Sequence, residues 1–251
     1  MTDTILITGG TGKFGRQFVR HFVQVGWQVA YTTTSLSQAQ DLCMQYPELR
    51  NAYGIEVDLV DDGASSTLLA ALQENDLRVN HLVNNARSLS SLRINESGIS
   101  SRQDMLDEYL LGVVVPYELA MALWSCQRET LKTVTNIGSQ YGVVATNPNL
   151  YGSRRAHSPI QYGVSKAALH HLTRELAVRM APDEVRVNAI AYGGVEGRTD
   201  ASFRSRYSEL VPNSRMLKDE EVIGPLDFLT SGASSSVTGH VLVADGGWTA
   251  W

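Results

Sequence analysis

The stretch ILITGGTGKFGRQF, residues 5–18, decides the fold of this 251-residue chain. A β-branched run, predicted to be a buried strand, leads through Gly9, Gly10, Gly12 and Gly15 into an amphipathic helix. Glycines at such a turn permit positive φ and a close approach of the backbone to a phosphate, and the helix N-terminus adds free N–H groups. The unit therefore predicts dinucleotide binding, with a plain tight turn as the alternative.

The rest of the chain repeats this alternation of short β-branched runs and longer helical stretches. Further strands are predicted over 27–32, 52–58, 79–86, 132–138, 185–191 and 240–245. Helices are predicted over 15–26, 37–46, 64–75, 102–126, 159–180 and 219–230. Such alternation indicates a parallel sheet covered on both faces, with right-handed crossovers. We therefore predict an α/β fold: one Rossmann domain over residues 1–251, with a doubly wound parallel β-sheet flanked by helices.

Two segments interrupt the alternation, 87–101 and 140–159, and 193–216 is a third predicted loop. The first two are polar and rich in Gly, Pro and Asn. Long loops in a compact domain are usually functional. The segments 87–101 and 140–159 both follow the carboxyl ends of strands, where doubly wound folds bind ligands. We predict that all three form the substrate site.

Composition limits the classes of partner and compartment. The net charge of −5 gives no electrostatic reason to expect nucleic acid or acidic membranes as partners. The most apolar stretch, 110–124, is interrupted by Pro116 and Glu118, so no membrane span is predicted. The two cysteines are far apart and the N-terminal residues do not resemble a signal peptide, which favours the cytoplasm. His170 and His171 have no acid or cysteine at metal spacing, so no metal site is predicted.

The end of the second strand bears on the choice of dinucleotide. A carboxylate there would accept hydrogen bonds from a free ribose 2′-hydroxyl, but residues 31–35 read YTTTS. Thr33, Thr34 and Ser35 could hydrogen-bond a 2′-phosphate, and Lys13 could neutralise it. NADP(H) is therefore favoured over NAD(H). NAD(H) is kept as an alternative, because no arginine stands at the strand end to bind a 2′-phosphate.

The stretch QYGVSKAAL, residues 161–169, places Tyr162 and Lys166 on one face of a predicted helix. An ammonium beside a tyrosine favours the phenolate. The pair can then exchange a proton with a substrate hydroxyl or carbonyl while a nicotinamide takes or gives hydride. Taken alone, the pair is better explained as an ordinary surface contact.

Further motifs stand in the order that this chemistry needs. They are the glycine turn, NNA at 84–86, Ser139 within VTNIGSQYG at 134–142, YGVSK at 162–166 and RVNAIAYGG at 186–194. With them the sequence resembles the short-chain dehydrogenase/reductase family over nearly its whole length. The resemblance implies that Tyr162 is the general acid/base, that Lys166 favours its ionised form and binds the nicotinamide ribose, and that Ser139 polarises the reacting oxygen.

The same resemblance implies a set of cofactor-binding residues. They are Gly9, Thr11, Gly12, Lys13, Phe14 and Gly15 in the glycine turn, Thr33, Thr34 and Ser35 after the second strand, Asp58 and Leu59 beside the adenine, Asn84, Asn85 and Ala86 beside the adenosine ribose, Tyr162 and Lys166, and Tyr192, Gly193 and Val195 beside the nicotinamide. Relatives are usually homodimers or homotetramers that pair the long helices at 102–126 and 159–180. Trp248 and Trp251 are expected to pack at a subunit contact.

Four positions depart from the family pattern. The glycine spacing is TGxxGxxG, Arg87 follows NNA in place of glycine, Tyr109 stands where a catalytic Asn is usual, and Tyr192-Gly193 replaces Pro-Gly. The glycine spacing suggests a nucleotide-sugar epimerase or dehydratase as one alternative. Tyr109 and Arg87 suggest another, a nucleotide-binding regulator with weak catalysis.

Arginines in the three loops suggest an anionic substrate. Arg154 and Arg155, with Tyr141, are the predicted substrate residues, and further basic residues are Arg87, Arg93, His157, Arg198, Arg204 and Arg206. Arginine forks suit carboxylates and phosphates. The sequence around 140–151 and 186–197 is also similar to enzymes of bacterial surface-sugar (nonulosonic acid) biosynthesis. We therefore expect a small-molecule substrate, for example an anionic sugar or nucleotide-linked sugar.

Overall fold

The computed structural model describes residues 2–151, 159–197 and 199–251. Seven strands form one sheet in the order β3-β2-β1-β4-β5-β6-β7, and every neighbouring pair is parallel. The strands are β1 Thr4–Ile7, β2 Gln28–Thr33, β3 Tyr53–Glu56, β4 His81–Asn84, β5 Thr133–Ile137, β6 Arg186–Tyr192 and β7 Val241–Ala244. The predicted single-domain Rossmann fold is confirmed.

Helices cover both faces of the sheet. They are α1 Lys13–Gln24, α2 Leu36–Gln45, α3 Ala64–Glu74, α4 Arg102–Tyr109, α5 Val115–Cys126, α6 Ile160–Met180, α7 Ala201–Leu210 and α8 Ile223–Thr230. One buried cluster joins α3, α5 and α6 to the sheet through side chains such as Leu68, Leu119 and Leu176. The opposite cluster joins α1 and α8 through Phe18 and Leu226. The sheet is therefore doubly wound.

The strand order reverses between β1 and β4. The chain runs outward from β1 to β2 and β3, then returns to β4 on the other side of β1. The connections that leave the carboxyl ends of β1 and β4 diverge to opposite faces, which opens a crevice between them. The glycine turn and the 84–86 segment meet there, so the topology alone places the ligand site.

Two expectations about the C-terminal third are wrong. The segment 193–216 contains the helix α7, which begins after Asp200, whose carboxylate accepts a hydrogen bond from the Phe203 N–H at 2.8 Å. Trp248 is buried within its own chain, where its ring stacks on Tyr207 at 4.6 Å between centroids, so it is not free for a subunit contact. Trp251 is 80% exposed.

The long apolar helix region has the properties of a core element. Among the described residues, 102–126 is the one helical stretch long and apolar enough to cross a membrane by length and composition. Leu119 and Leu123 on α5 are nevertheless part of the central buried cluster. Core helices commonly pass such a length and composition test.

Candidate active site

The glycine turn between β1 and α1 is shaped to hold a phosphate group. Gly9 has φ +65°, which side-chain-bearing residues rarely adopt, and its N–H donates to Thr32 Oγ1 at 2.9 Å. A Cβ on Gly15 would lie 2.1 Å from the Gly9 carbonyl oxygen, so only glycine lets α1 approach this closely. α1 begins directly after Gly12, which turns the N–H groups of its first turn toward the crevice. The turn therefore fits the pyrophosphate of a dinucleotide.

The segment after β4 is fixed against β1 by Thr8. The buried Thr8 Oγ1 accepts hydrogen bonds from the N–H groups of Asn85 at 2.8 Å and Ala86 at 2.9 Å, and both residues line the cleft. Asn84 does not line it: its amide donates to Asn136 Oδ1 at 2.8 Å between β4 and β5. Its side chain therefore hydrogen-bonds within the sheet, and of the three residues expected to contact the cofactor, Asn85 and Ala86 are the ones that line the cleft.

Ser139, Tyr162 and Lys166 meet at one end of the cleft. Ser139 follows β5 and is buried, and its Oγ accepts a hydrogen bond from the Tyr141 N–H at 3.2 Å. Lys166 is buried on α6, where its Nζ donates to the Ile137 carbonyl at 2.9 Å and lies 5.9 Å from the centroid of the Tyr162 ring. Burial lowers the pKa of Lys166 below its ordinary value, and the neighbouring Tyr162 opposes this shift. A tyrosine beside a lysine and a serine hydroxyl can exchange a proton with a bound oxygen.

The opposite end of the cleft is formed by the ends of β2 and β3. Thr33, Thr34, Asp58 and Leu59 line it. Thr33 is buried and its Oγ1 accepts from the Ser35 N–H at 3.2 Å, whereas Thr34 is exposed to the cleft. Ser35 does not line the cleft, so the hydroxyl free to meet a ribose or a 2′-phosphate is that of Thr34.

The expected role of Lys13 at a 2′-phosphate is wrong. Its Nζ lies 3.1 Å from Asp219 Oδ1 and 3.4 Å from the Val195 carbonyl. Val195 follows β6, whereas the 2′-phosphate would lie at the end of β2, on the other side of β1 in the sheet. Lys13 therefore joins the glycine turn to the segment after β6.

That segment forms the nicotinamide end of the predicted cofactor site. The Gly193 N–H donates to the Ala244 carbonyl at 3.0 Å, and Val195 forms a parallel bridge with Leu217. The ring of Tyr192 packs edge-on against Phe14 in the glycine turn, at 5.4 Å between centroids. These contacts hold the backbone after β6 against the N-terminus of α1.

Aromatic side chains that sequence reasoning missed surround the substrate end. Tyr151, Phe203 and Tyr207 line the cleft with the predicted Tyr141. The hydroxyls of Tyr141 and Tyr151 lie 3.2 Å apart. Tyr207 donates to Gln140 Oε1 at 3.2 Å, and burial raises its pKa to about 12. The i, i+4 spacing of Phe203 and Tyr207 was the available signal for a helix here.

The arginines predicted to bind an anion do not all meet in the cleft. Arg154, Arg155 and Arg198 lie outside the described residues, as does His157. Arg93 pairs with Asp104 at 3.0 Å, and Arg206 donates to a backbone carbonyl at 2.7 Å; neither lines the cleft. Arg204 donates to the Thr199 carbonyl at 3.1 Å and is also outside it.

Arg87 does line the cleft. Its Cζ lies 4.6 Å from the centroid of the Tyr162 ring, within the range of a cation–π contact. It occupies the position where the family usually has glycine, so the departure places a guanidinium over the predicted catalytic ring.

The helical region that faces α6 is irregular beside the site. α4 ends at Tyr109, and Leu110–Val114 form a π-helical segment before α5. Such π segments are frequent at functional sites. Tyr109 is 46% exposed and does not line the cleft. The preceding Glu108 is buried, and its Oε2 accepts a hydrogen bond from Ser91 Oγ at 2.7 Å.

The whole cleft has a volume of about 1130 Å³, above the range usual for a single small ligand. Sixteen of the predicted cofactor residues line it: Gly9, Thr11, Gly12, Lys13, Phe14, Thr33, Thr34, Asp58, Leu59, Asn85, Ala86, Tyr162, Lys166, Tyr192, Gly193 and Val195. Gly15, Ser35 and Asn84 do not. The space therefore suits a dinucleotide with a small substrate beside it.

Known proteins of similar sequence and structure have related activities. Residues 13–249 match a family model described as enoyl-(acyl carrier protein) reductase. Galactitol 2-dehydrogenase from Rhizobium johnstonii is 30% identical over 99% of this chain and 96% of that protein. A short chain dehydrogenase from Leptospira borgpetersenii with bound NAD+ has a TM-score of 0.88 and 25% identity, over 99% of this chain and 93% of that one. The RhlG/NADP active-site complex from Pseudomonas aeruginosa has a TM-score of 0.85 and 26% identity, over 98% and 96%.

Proposed function

Since the chain belongs to the short-chain dehydrogenase/reductase family and is an NAD(P)-dependent oxidoreductase, we propose that it interconverts a carbonyl and a secondary alcohol on a polyhydroxylated small molecule. The observation that carries this proposal is the Tyr162–Lys166 pair at one end of a cleft that continues to the glycine turn. The pair supplies proton transfer, and the turn fits the cofactor's pyrophosphate.

The residues divide the work as follows. A bound nicotinamide supplies or accepts the hydride. Tyr162 donates a proton to the substrate oxygen in reduction and removes it in oxidation, and Ser139 holds that oxygen by a hydrogen bond. Lys166, fixed to the Ile137 carbonyl, stabilises the phenolate and holds the nicotinamide ribose.

We propose NADP(H) as the preferred cofactor. The preference is supported by residues 31–35, which carry hydroxyls and no carboxylate. The similar structures hold either cofactor, NADP in RhlG and NAD+ in the Leptospira enzyme. Lys13 does not support a preference for NADP(H), because its ammonium pairs with Asp219. Fluorescence titration of NADPH and NADH tests the preference, and a Kd for NADPH more than about tenfold above that for NADH, a gap of ~1.4 kcal/mol, would overturn it.

We propose a sugar, sugar alcohol or sugar acid as the substrate. Tyr141 and Tyr151 bring ring surfaces and hydroxyls to the substrate end, which suits a polyhydroxylated chain. The similarity to galactitol 2-dehydrogenase and the resemblance to surface-sugar enzymes point to the same class. An anionic sugar, including one for carbohydrate biosynthesis, is the finer form of this proposal.

A second candidate is reduction of a ketone on an acyl chain. It is favoured by the apolar side chains that also line the cleft, namely Leu89, Leu92, Leu111, Phe203 and Met216. The matching family model is described as an enoyl-(acyl carrier protein) reductase, which likewise acts on an acyl chain.

An epimerase or dehydratase of nucleotide sugars is less well supported. Such enzymes need a separate substrate domain. The described residues after β6 instead form α7, α8 and β7, and β7 extends the same sheet.

The deciding experiment is a substrate panel followed by NADPH absorbance in both directions. It contains hexitols, hexonates, keto sugars and 3-oxoacyl thioesters. Turnover of a polyol or sugar acid with a kcat/KM above that for the thioesters supports the proposal. Turnover of thioesters alone supports the second candidate. Tight NADPH binding without turnover of any compound favours a regulator.

We further propose a cytoplasmic homodimer or homotetramer. The compartment is supported by Cys43 and Cys126, which are both free thiols. The assembly is supported by exposed apolar side chains on the helices that relatives pair, such as Leu106, Tyr117 and Val178. Light scattering during gel filtration tests the oligomer, and a mass near 27.5 kDa would contradict it.

A further inference from the structure

Arg87 differs from the other positive charges of the cleft because no oxygen atom of the described residues accepts a hydrogen bond from it. The cations among the described lining residues are Lys13, Arg87 and Lys166. Lys13 pairs with Asp219, and Lys166 donates to a backbone carbonyl. Arg87 forms no hydrogen bond or ion pair with any described residue, and its contact is with the Tyr162 ring. The carboxylates that line the cleft, Asp58 and Asp107, are both more than 4.0 Å away from it.

Two contacts place Arg87 in the cleft, one at its backbone and one at its guanidinium. Its backbone follows Ala86, whose N–H is held by Thr8 Oγ1 at 2.9 Å. Its guanidinium lies 4.6 Å from the centroid of Tyr162. A guanidinium carries five N–H donors in a planar fork, and it is most stable when a carboxylate or phosphate accepts two of them. The fork is therefore placed in the cleft with its donors available to a ligand.

We propose that Arg87 binds the carboxylate of a hydroxy or oxo acid, and so selects anionic substrates. The inference rests on the proposed oxidoreductase function and names the substrate class for that site. Because Arg87 contacts the ring whose hydroxyl exchanges the proton, the carboxylate lies close to the reacting oxygen. One or two carbon–carbon bonds between the carboxylate and the reacting carbon satisfy this geometry, as in a sugar acid oxidised near its carboxyl end. A neutral hexitol would leave the fork without an acceptor.

The test measures ligand binding to the NADPH-loaded protein, in which a hydroxyl compound has no hydride acceptor, so that it does not depend on turnover. The probes are D-gluconate and D-galactonate, compared with the uncharged D-glucitol and galactitol. Dissociation constants are measured by NMR saturation transfer for wild type, Arg87→Gln and Arg87→Lys. Arg204→Gln is the matched control, because Arg204 is exposed and outside the cleft. The Kd of NADPH is measured for each protein by fluorescence.

We expect wild type to bind the hexonates at least tenfold more tightly than the hexitols. Arg87→Gln weakens hexonate binding about tenfold to a hundredfold, the usual effect of losing a charge-assisted bidentate contact. It changes hexitol binding and the Kd of NADPH by less than threefold. Hexonate binding by Arg87→Lys lies between that of wild type and Arg87→Gln, and Arg204→Gln matches wild type.

Three results would overturn the inference. They are equal binding of hexonates and hexitols by wild type, equal losses for both in Arg87→Gln, or an NADPH Kd raised by as much as the hexonate Kd. The last would make Arg87 a cofactor residue. None of these results bears on turnover, so failure of the inference is distinct from failure of the proposed function.

Discussion

Lys166 Nζ donates a 2.9 Å hydrogen bond to the carbonyl oxygen of Ile137, the last residue of β5. An ammonium on α6 is thereby anchored to the sheet, next to Ser139. The bond explains how a buried lysine keeps a fixed position beside Tyr162. It also means that the lysine exchanges a proton in a desolvated place, where its charged form is disfavoured.

The pH profile follows from that burial. The pKa of Lys166 is lowered from its ordinary value, about 10.4 in model peptides. If the ammonium form is required, kcat/KM falls as pH rises through this lowered pKa, so the alkaline limb lies below the ordinary lysine value. Lys166→Arg, which stays protonated, should move the limb to higher pH while lowering kcat about tenfold or more. An alkaline limb unchanged in Lys166→Arg would assign it to another group.

Gly15 tests the fit of the glycine turn. A Cβ at this position would lie 2.1 Å from the Gly9 carbonyl oxygen, so Gly15→Ala must displace α1 from the turn. We expect the Kd of NADPH to rise at least tenfold and the protein to lose about 1–3 kcal/mol of stability. Gly224→Ala is the control, because a Cβ there meets nothing within 4 Å. Equal NADPH affinity in the two variants would contradict the proposed pyrophosphate site.

Thr34 tests the cofactor preference. It is exposed, lines the cleft at the end of β2 and stands where a carboxylate would bind the ribose of NAD(H). Thr34→Asp should raise the ratio of the NADPH Kd to the NADH Kd at least tenfold, since the new charge repels a 2′-phosphate. Ser37→Asp adds the same charge outside the cleft and should leave the ratio within threefold. A ratio unchanged by Thr34→Asp would place the ribose elsewhere.

His81 predicts a loss of stability in acid. Burial among β-strands lowers its pKa to about 4, against an unfolded value of about 6.5. Between these values the unfolded chain binds the extra proton and the folded chain does not, so the free energy of unfolding falls as pH decreases from 6.5 to 4. The full effect is on the order of 3 kcal/mol.

Comparing how stability depends on pH in wild type and in His81→Gln isolates the contribution of this histidine. His81→Gln should unfold with a shallower dependence of stability on pH in that window, whatever its absolute stability. Urea unfolding at several pH values measures the slopes. Identical slopes in the two proteins would assign the acid sensitivity to other groups.

The local patterns predicted most of the fold because they agree with the tertiary structure. The glycine turn, the strand ends and the 161–169 stretch each lie at the carboxyl edge of a parallel sheet, so sequence order was enough to bring them to one cleft. α7 was missed because it has few apolar residues. Its Tyr207 is buried by Trp248, a partner about forty residues away that no local pattern reveals.

The remaining errors come from side-chain partners. The position of Lys13 in the turn suggests a role at the 2′-phosphate, but Asp219 and the Val195 carbonyl bind its Nζ from distant parts of the chain. Asn84 was grouped with its neighbours, yet the alternation of a strand turns its side chain toward Asn136. A sequence motif predicts the path of the backbone, whereas contacts with distant residues determine which side chains are available to a ligand.

The most direct test of the central claim is single-turnover kinetics of Tyr162→Phe with bound NADPH and the best carbonyl substrate from the panel. The claim that Tyr162 transfers the proton predicts a rate at least about a hundredfold below wild type, an NADPH Kd within threefold of wild type, and wild-type kinetics in the Tyr46→Phe control. A Tyr162→Phe rate within threefold of wild type, at saturating substrate and cofactor, would contradict it.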